Sequence, residues 1–120
     1  MHNVPNQAVT SRQHANDPSE FPYAPAGWSP VEAEKLAAEN DLTLMPEHWE
    51  TLRSLQAYYA NTEEPKVREL LDALDERFHA RGGLKLLHKL FPNGPVAQGC
   101  RLAGLAVPPG ALDRSFGSVQ

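Results

Sequence analysis

The residue most able to do covalent chemistry is Cys100, the sole thiol in 120 residues. A single cysteine cannot form an intramolecular disulfide, which excludes a stapled secreted fold. It stands just ahead of Val107-Pro108-Pro109-Gly110, near one end of the sequence. Arg101 beside it and a helix start at Pro95, about one turn away, would both favour the thiolate. The other reading is that Cys100 is a small buried apolar residue, as free cysteines commonly are. A hydrolase-type nucleophile needs a base and an oxyanion site; His79 and His88 are near only in sequence, and no nucleophile elbow surrounds Cys100. The histidines fall at positions 2, 14, 48, 79 and 88. With one cysteine, that scatter gives no zinc-ligand spacing. No glycine-rich phosphate loop occurs. The residues therefore call for no metal and no cofactor.

A second set is electrostatic. Arg77, Arg81, Lys85 and Lys89 recur every four residues. On an unbroken helix they would form one positive stripe, but Gly82-Gly83 interrupts it. Two helices joined across such a turn resemble a helix-turn-helix. A solvated face, a nucleic-acid contact and an acidic protein partner are the three readings. Residues 1–76 hold 14 acids and 5 Lys/Arg, net −9, whereas residues 77–120 hold one acid and 6 Lys/Arg, net +5. The C-terminal third, Arg101 included, is thus the natural place for an anionic partner. A pI of 5.7 is wrong for a general phosphate binder, so nucleic-acid binding should be weak and salt-sensitive at most.

These residues need elements to hold them. Residues 1–20 are too polar to offset the entropy of ordering and should form a disordered tail. They lack the basic start and apolar run of a signal peptide, and no membrane-length apolar stretch exists, so a cytoplasmic protein that does not insert into membranes is expected. Phe21, Tyr23 and Trp28, punctuated by Pro22, Pro25 and Gly27, read as an irregular packed segment, with a short N-terminal hairpin left open. Ser29-Pro30 starts a helix to about Glu39, with Glu32 placed for a capping box. Pro46 starts a second, to about Ala60, whose inner face is Trp49, Leu52, Leu55, Gln56 and Tyr59; His48 reads as a surface residue at its start. Pro65 opens a third, carrying Val67, Leu70, Leu71, Leu74 and Phe78 on one face, with Arg68 and Asp72 as an i,i+4 pair. Leu84, Leu87, Leu90 and Phe91 mark a fourth helix. Pro95 to about Ala103 marks a fifth, closed by Gly104. Pro108 and Pro109 then bar further helix, and an extended arm follows. With no long period-two stretch, the fold class is mostly α: a small bundle of about five helices.

Certain phrases narrow this further. Residues 47–49 read Glu-His-Trp, residues 58–59 Tyr-Tyr, residues 68–71 Arg-Glu-Leu-Leu, residues 90–95 Leu-Phe-Pro-Asn-Gly-Pro, and residues 98–105 Gln-Gly-Cys-Arg-Leu-Ala-Gly-Leu. In this order and spacing the chain resembles the DsrC/TusE family, also called the gamma subunit of dissimilatory sulfite reductase. The likeness runs from about Phe21 to Gly110. It implies an orthogonal helical domain over 21–105 and a flexible C-terminal arm over 106–120. It also implies sulfur carried as a persulfide or trisulfide. Implied partners are sulfurtransferases, a sulfite reductase or a heterodisulfide-reductase-like complex; the TusE-type members serve tRNA thiolation. The carrier thiol of the family is the penultimate cysteine of the arm, and Cys100 matches a second, upstream cysteine.

The arm departs from that pattern. Where the family reads Gly-Cys-aliphatic and stops, this chain has Gly110, Ala111 and Leu112 and continues from Asp113 to Gln120. Ala106 and Val107 replace a usual proline and lysine. A methyl group cannot hold sulfane sulfur. The resemblance, with its cysteine-deficient members, therefore implies a non-carrier regulatory or scaffolding paralogue, not a catalyst. The alternatives are a persulfide carrier that uses Cys100 alone and a DNA-binding regulator. The candidate site residues are Cys100, the arm residues Pro108, Pro109, Gly110 and Ala111, and the cations Arg77, Arg81, Lys85, Lys89 and Arg101.

Overall fold

The computed structural model describes residues 20–111. The disordered tail read over 1–20, Glu20 apart, and the arm beyond Ala111 lie outside them. Among the described residues there are five α-helices and no strand, so the fold is mostly α and the hairpin left open around Phe21 does not form there. The helices are α1 (Pro30–Glu39), α2 (Pro46–Ala60), α3 (Val67–Arg77), α4 (Gly83–Leu90) and α5 (Pro95–Ala103), with a 3-10 turn, His79–Arg81, between α3 and α4.

Proline at the first helical position starts α1, α2 and α5, where a missing N–H costs nothing. Ser29 is the cap residue of α1 and its carbonyl takes the first helical N–H groups, but its side chain makes no cap bond. The capping box read there is absent. Helix α3 begins at Val67, two residues after the proline read as its start. Arg68 and Asp72 do not pair; both ion pairs formed among the described residues belong to Glu50.

Two buried clusters form the core. Phe21, Ala33, Ala37, Trp49, Leu52, Phe91, Leu102 and Ala103 make the first. Leu55, Leu70, Leu74, Phe78, Leu87, Val96 and Cys100 make the second. Helices α2 and α5 serve both, which is why α5 buries every residue except Arg101. Their backbones approach closely at Gly99, where an added Cβ would lie 2.8 Å from a Leu55 methyl. Phe21 meets Trp28 and Trp49 edge-on, with centroids 5.0 and 5.7 Å apart. The irregular N-terminal segment thus closes the first cluster.

The end of α5 accounts for each of its last four carbonyls. Gly104, at φ 78°, directs its N–H to Arg101, and Leu105 directs its N–H 2.8 Å to Cys100, the two bonds of a Schellman motif. Trp28 Nε1 donates to the Leu102 carbonyl at 2.7 Å, and Gln56 Nε2 to that of Ala103 at 2.9 Å. Helix-end carbonyls buried without partners would cost free energy, so these four donors set where α5 stops and where the arm begins.

Candidate functional site

Cys100 lies on the inner face of α5 and is 0% exposed. Its thiol donates to the Tyr59 hydroxyl across 3.5 Å, and that hydroxyl donates in turn to the Ala106 carbonyl at 2.6 Å. Burial pushes the Cys100 thiol up to about 11, against a smaller opposing effect of the Tyr59 hydrogen bond. Burial, then the bond to Cys100, also raises the Tyr59 hydroxyl. At pH 7 Cys100 is therefore held as the neutral thiol. The activation read from Arg101 and the helix start is overturned. Arg101 is exposed, and neighbours in sequence point about 100° apart on a helix, so they do not face each other. Cys100 is the sixth residue of α5, past the turn in which the helix dipole favours a thiolate.

The segment after α5 stays on the domain as far as Ala111. Pro108 is buried, and Leu105, Val107 and Ala111 pack against the cluster that holds Cys100. It is not extended throughout. The Ala111 N–H bonds to the Pro108 carbonyl at 3.2 Å, with Pro109 second and Gly110 third in the turn. Gly110 has φ 94°, as the third position of a type II turn requires. Ala111 thus offers a methyl group, half-buried, at the point where the chain reverses.

The cations do not form one stripe. Arg77 Nε and Arg81 Nη2 both lie 3.1 Å from the same Glu50 oxygen, and Arg81 Nη1 reaches the other oxygen at 3.1 Å. Arg81 also lies over the Phe78 ring, 4.5 Å from its centroid. Hydrogen bonding to Arg81, against some burial, holds the Glu50 carboxyl below its usual range. Lys85 and Lys89 are exposed on α4, beyond the Gly82–Gly83 break, where both glycines have positive φ. That break is built on Asp75, whose carboxylate accepts the Leu84 N–H at 2.9 Å and fills the space a Gly83 Cβ would take. The sequence motif hid this cap, because an aspartate nine residues ahead of the N–H it accepts is not a local signal.

His48 is buried, not a surface residue. Its Nδ1 accepts the Met45 N–H at 2.8 Å, which obliges Nε2–H to donate to the Leu90 carbonyl at 2.7 Å. Burial lowers its pKa, partly opposed by the Leu90 bond. This neutral ring joins the start of α2 to the end of α4, and it packs edge-on against Phe91 at 4.9 Å. The Glu-His-Trp and Leu-Phe-Pro phrases are therefore one contact in space.

Among the described residues no three His, Cys, Asp or Glu side chains gather as a metal site, and no helix is long and apolar enough to cross a membrane.

Comparison with known proteins bears on this arrangement. A family model described as DsrC like protein matches residues 8–112. The sulfurtransferase TusE of Salmonella choleraesuis is 38% identical over 84 residues, covering 68% of this chain and 76% of that protein. TusE of Yersinia pseudotuberculosis is 37% identical over 68% of this chain and 77% of that protein. TusE of Escherichia coli K12 is 37% identical over 68% and 76%. No solved structure matches the chain.

Proposed function

The chain belongs to the DsrC-like family, and we propose that it serves sulfur relay as a non-carrier member, which docks on relay partners and regulates or scaffolds them. The observation that carries this reading is the state of its sulfur chemistry. Its sole cysteine is 0% exposed with its thiol pushed up to about 11, and the arm offers Ala111 where the family's carrier cysteine is expected. Accepting sulfane sulfur requires a thiolate that can enter a partner's active site. Cys100 meets neither condition while α5 is folded.

The partners on this reading are sulfurtransferases and other sulfur-relay proteins, in the cytoplasm. Carriage by Cys100 alone is disfavoured by its burial. Sequence-specific DNA recognition is disfavoured because Arg77 and Arg81 already share the Glu50 carboxylate.

Incubation with a persulfide-loaded sulfurtransferase, read by intact mass, tests the reading. The chain should stay at its own mass while a TusE control gains sulfur. Added in excess to the TusE reaction, it should lower transfer by competing for the donor. Stoichiometric sulfur on Cys100 would replace this reading with the carrier alternative.

A further inference from the structure

Helix α4 carries its charge on one face. Gly83 and Leu87, one turn apart, are buried, so the row opposite them, Lys85 and Lys89, points outward, and both lysines are exposed. Leu86 and Leu90, both half-buried, form the row beside the lysines. Neither lysine has an ion-pair partner among the described residues, whose ion pairs belong to Glu50. The helix itself gains little from this placement. Like charges four residues apart on a helix repel. Lys85 also stands in the first turn of α4, where the helix dipole disfavours a cation. From Arg77 to Ala111 the chain has no Asp or Glu, so neither α4 nor α5 supplies a carboxylate to offset the pair.

We propose that this face of α4 is a docking surface for an acidic amphipathic segment of a protein partner. Its carboxylates, one turn apart, meet Lys85 and Lys89, and its apolar row lies on Leu86 and Leu90. The two rows on α4 run side by side, since each joins residues i and i+4 of one helix. Charge favours a protein over a nucleic acid here. Arg77 and Arg81 share the Glu50 carboxylate, so the row left to a partner is two lysines long and neutralises few phosphates. Helix α3, packed against α4, exposes Glu69, Asp72 and Glu76, so a phosphate backbone continuing from α4 onto α3 meets carboxylates. A short acidic segment ends before it reaches them. Contacts of this kind set register and speed encounter. The proposal rests on the docking half of the reading above and is indifferent to whether the chain carries sulfur.

The test is an NMR titration of the full chain with a synthetic helical peptide that carries a glutamate row beside a leucine row. The signals of Lys85, Leu86, Lys89 and Leu90 should shift and saturate while those of α1 stay in place, and added salt should weaken binding. Lys85→Glu plus Lys89→Glu should weaken the peptide at least several-fold and leave the α5 signals unmoved. A peptide with lysines for its glutamates should bind that variant better than wild type. A peptide with serines for its leucines should bind wild type more weakly. Equal affinity of wild type and the double variant for the glutamate peptide overturns the proposal. So does duplex DNA that shifts the same signals at lower concentration than the peptide at physiological salt, which would make a nucleic acid the occupant. The titration involves no sulfur transfer, so its failure is distinct from sulfur uptake by Cys100, which would overturn the non-carrier reading.

Discussion

The Tyr59 hydroxyl accepts from the Cys100 thiol at 3.5 Å while donating its own proton to the Ala106 carbonyl at 2.6 Å. One phenol thus ties the buried thiol to the first residues of the arm. Tyr59→Phe keeps the ring and removes both bonds. We expect a loss of about 1 kcal/mol in urea unfolding, with the thiol held no lower than in wild type. Full stability in that variant would show that the arm is not tied through Tyr59.

Cys100 should react slowly. Because it is fully buried with its thiol near 11, labelling must await local opening. A disulfide reagent at pH 8 should label the native chain at least about 100-fold more slowly than the urea-unfolded chain. Equal rates would show an accessible thiol and restore the single-cysteine carrier.

His48 should make stability depend on pH. Its pKa is lowered from 6.5 in the folded chain, so the unfolded chain binds more protons near that value. Its contribution is therefore fully present above pH 6.5 and is lost as pH falls toward the folded value. Protonation would place an N–H on Nδ1 against the Met45 N–H. Urea midpoints at pH 7.5 and 5.5 should fall apart in wild type and draw together in His48→Gln. An unchanged gap in the variant would assign the effect to other groups.

Two glycines should differ in a way that reports the α5 terminus. Gly110 has φ 94° and nothing near its missing Cβ, so Gly110→Ala should cost about 1 kcal/mol of backbone strain. At Gly104 the φ is 78° and an added Cβ would lie 2.7 Å from the Trp28 ring. Gly104→Ala should cost about 2–4 kcal/mol and shift Trp28 fluorescence, since the ring must leave the Leu102 carbonyl. Equal costs would mean that Trp28 does not brace the helix end.

The Glu50 pairs are surface pairs, with the Arg77 and Arg81 side chains 53% and 45% exposed. Arg81→Ala should therefore cost no more than about 1 kcal/mol. Glu50→Gln frees both guanidinium groups and should strengthen nonspecific, salt-dependent DNA binding. A sequence-selective complex of wild type at physiological salt, lost in Arg81→Ala plus Lys85→Ala, would instead support a DNA-reading surface.

What was legible in the sequence was punctuation. Pro30, Pro46, Pro95 and Gly104 act through their own backbone geometry, so α1, α2 and α5 begin, and α5 ends, where those residues stand. Pairings across the fold were not legible. His48 meets Leu90, 42 positions away, and Arg81 meets Glu50, 31 positions away. A window along one helix shows a surface histidine and a positive stripe; only packing of α2 against the α3–α4 corner turns them into a latch and a neutralised pair. Cys100 shows the same limit. Its neighbours in sequence argue for a thiolate, whereas burial keeps it a thiol, against the smaller opposing effect of Tyr59, 41 positions away.

The most direct test is to give the arm its sulfur back. Ala111 stands at the Pro108–Ala111 turn with a methyl group where sulfur transfer needs a thiolate, and no other arm residue supplies one. Ala111→Cys, in a chain ended after Leu112, should accept sulfur from a relay sulfurtransferase and gain the mass of sulfur at position 111, while wild type gains none. If that variant folds and takes up no sulfur under conditions that load a TusE control, the missing cysteine is not what separates this chain from its carrier relatives, and the non-carrier account built on Ala111 is wrong.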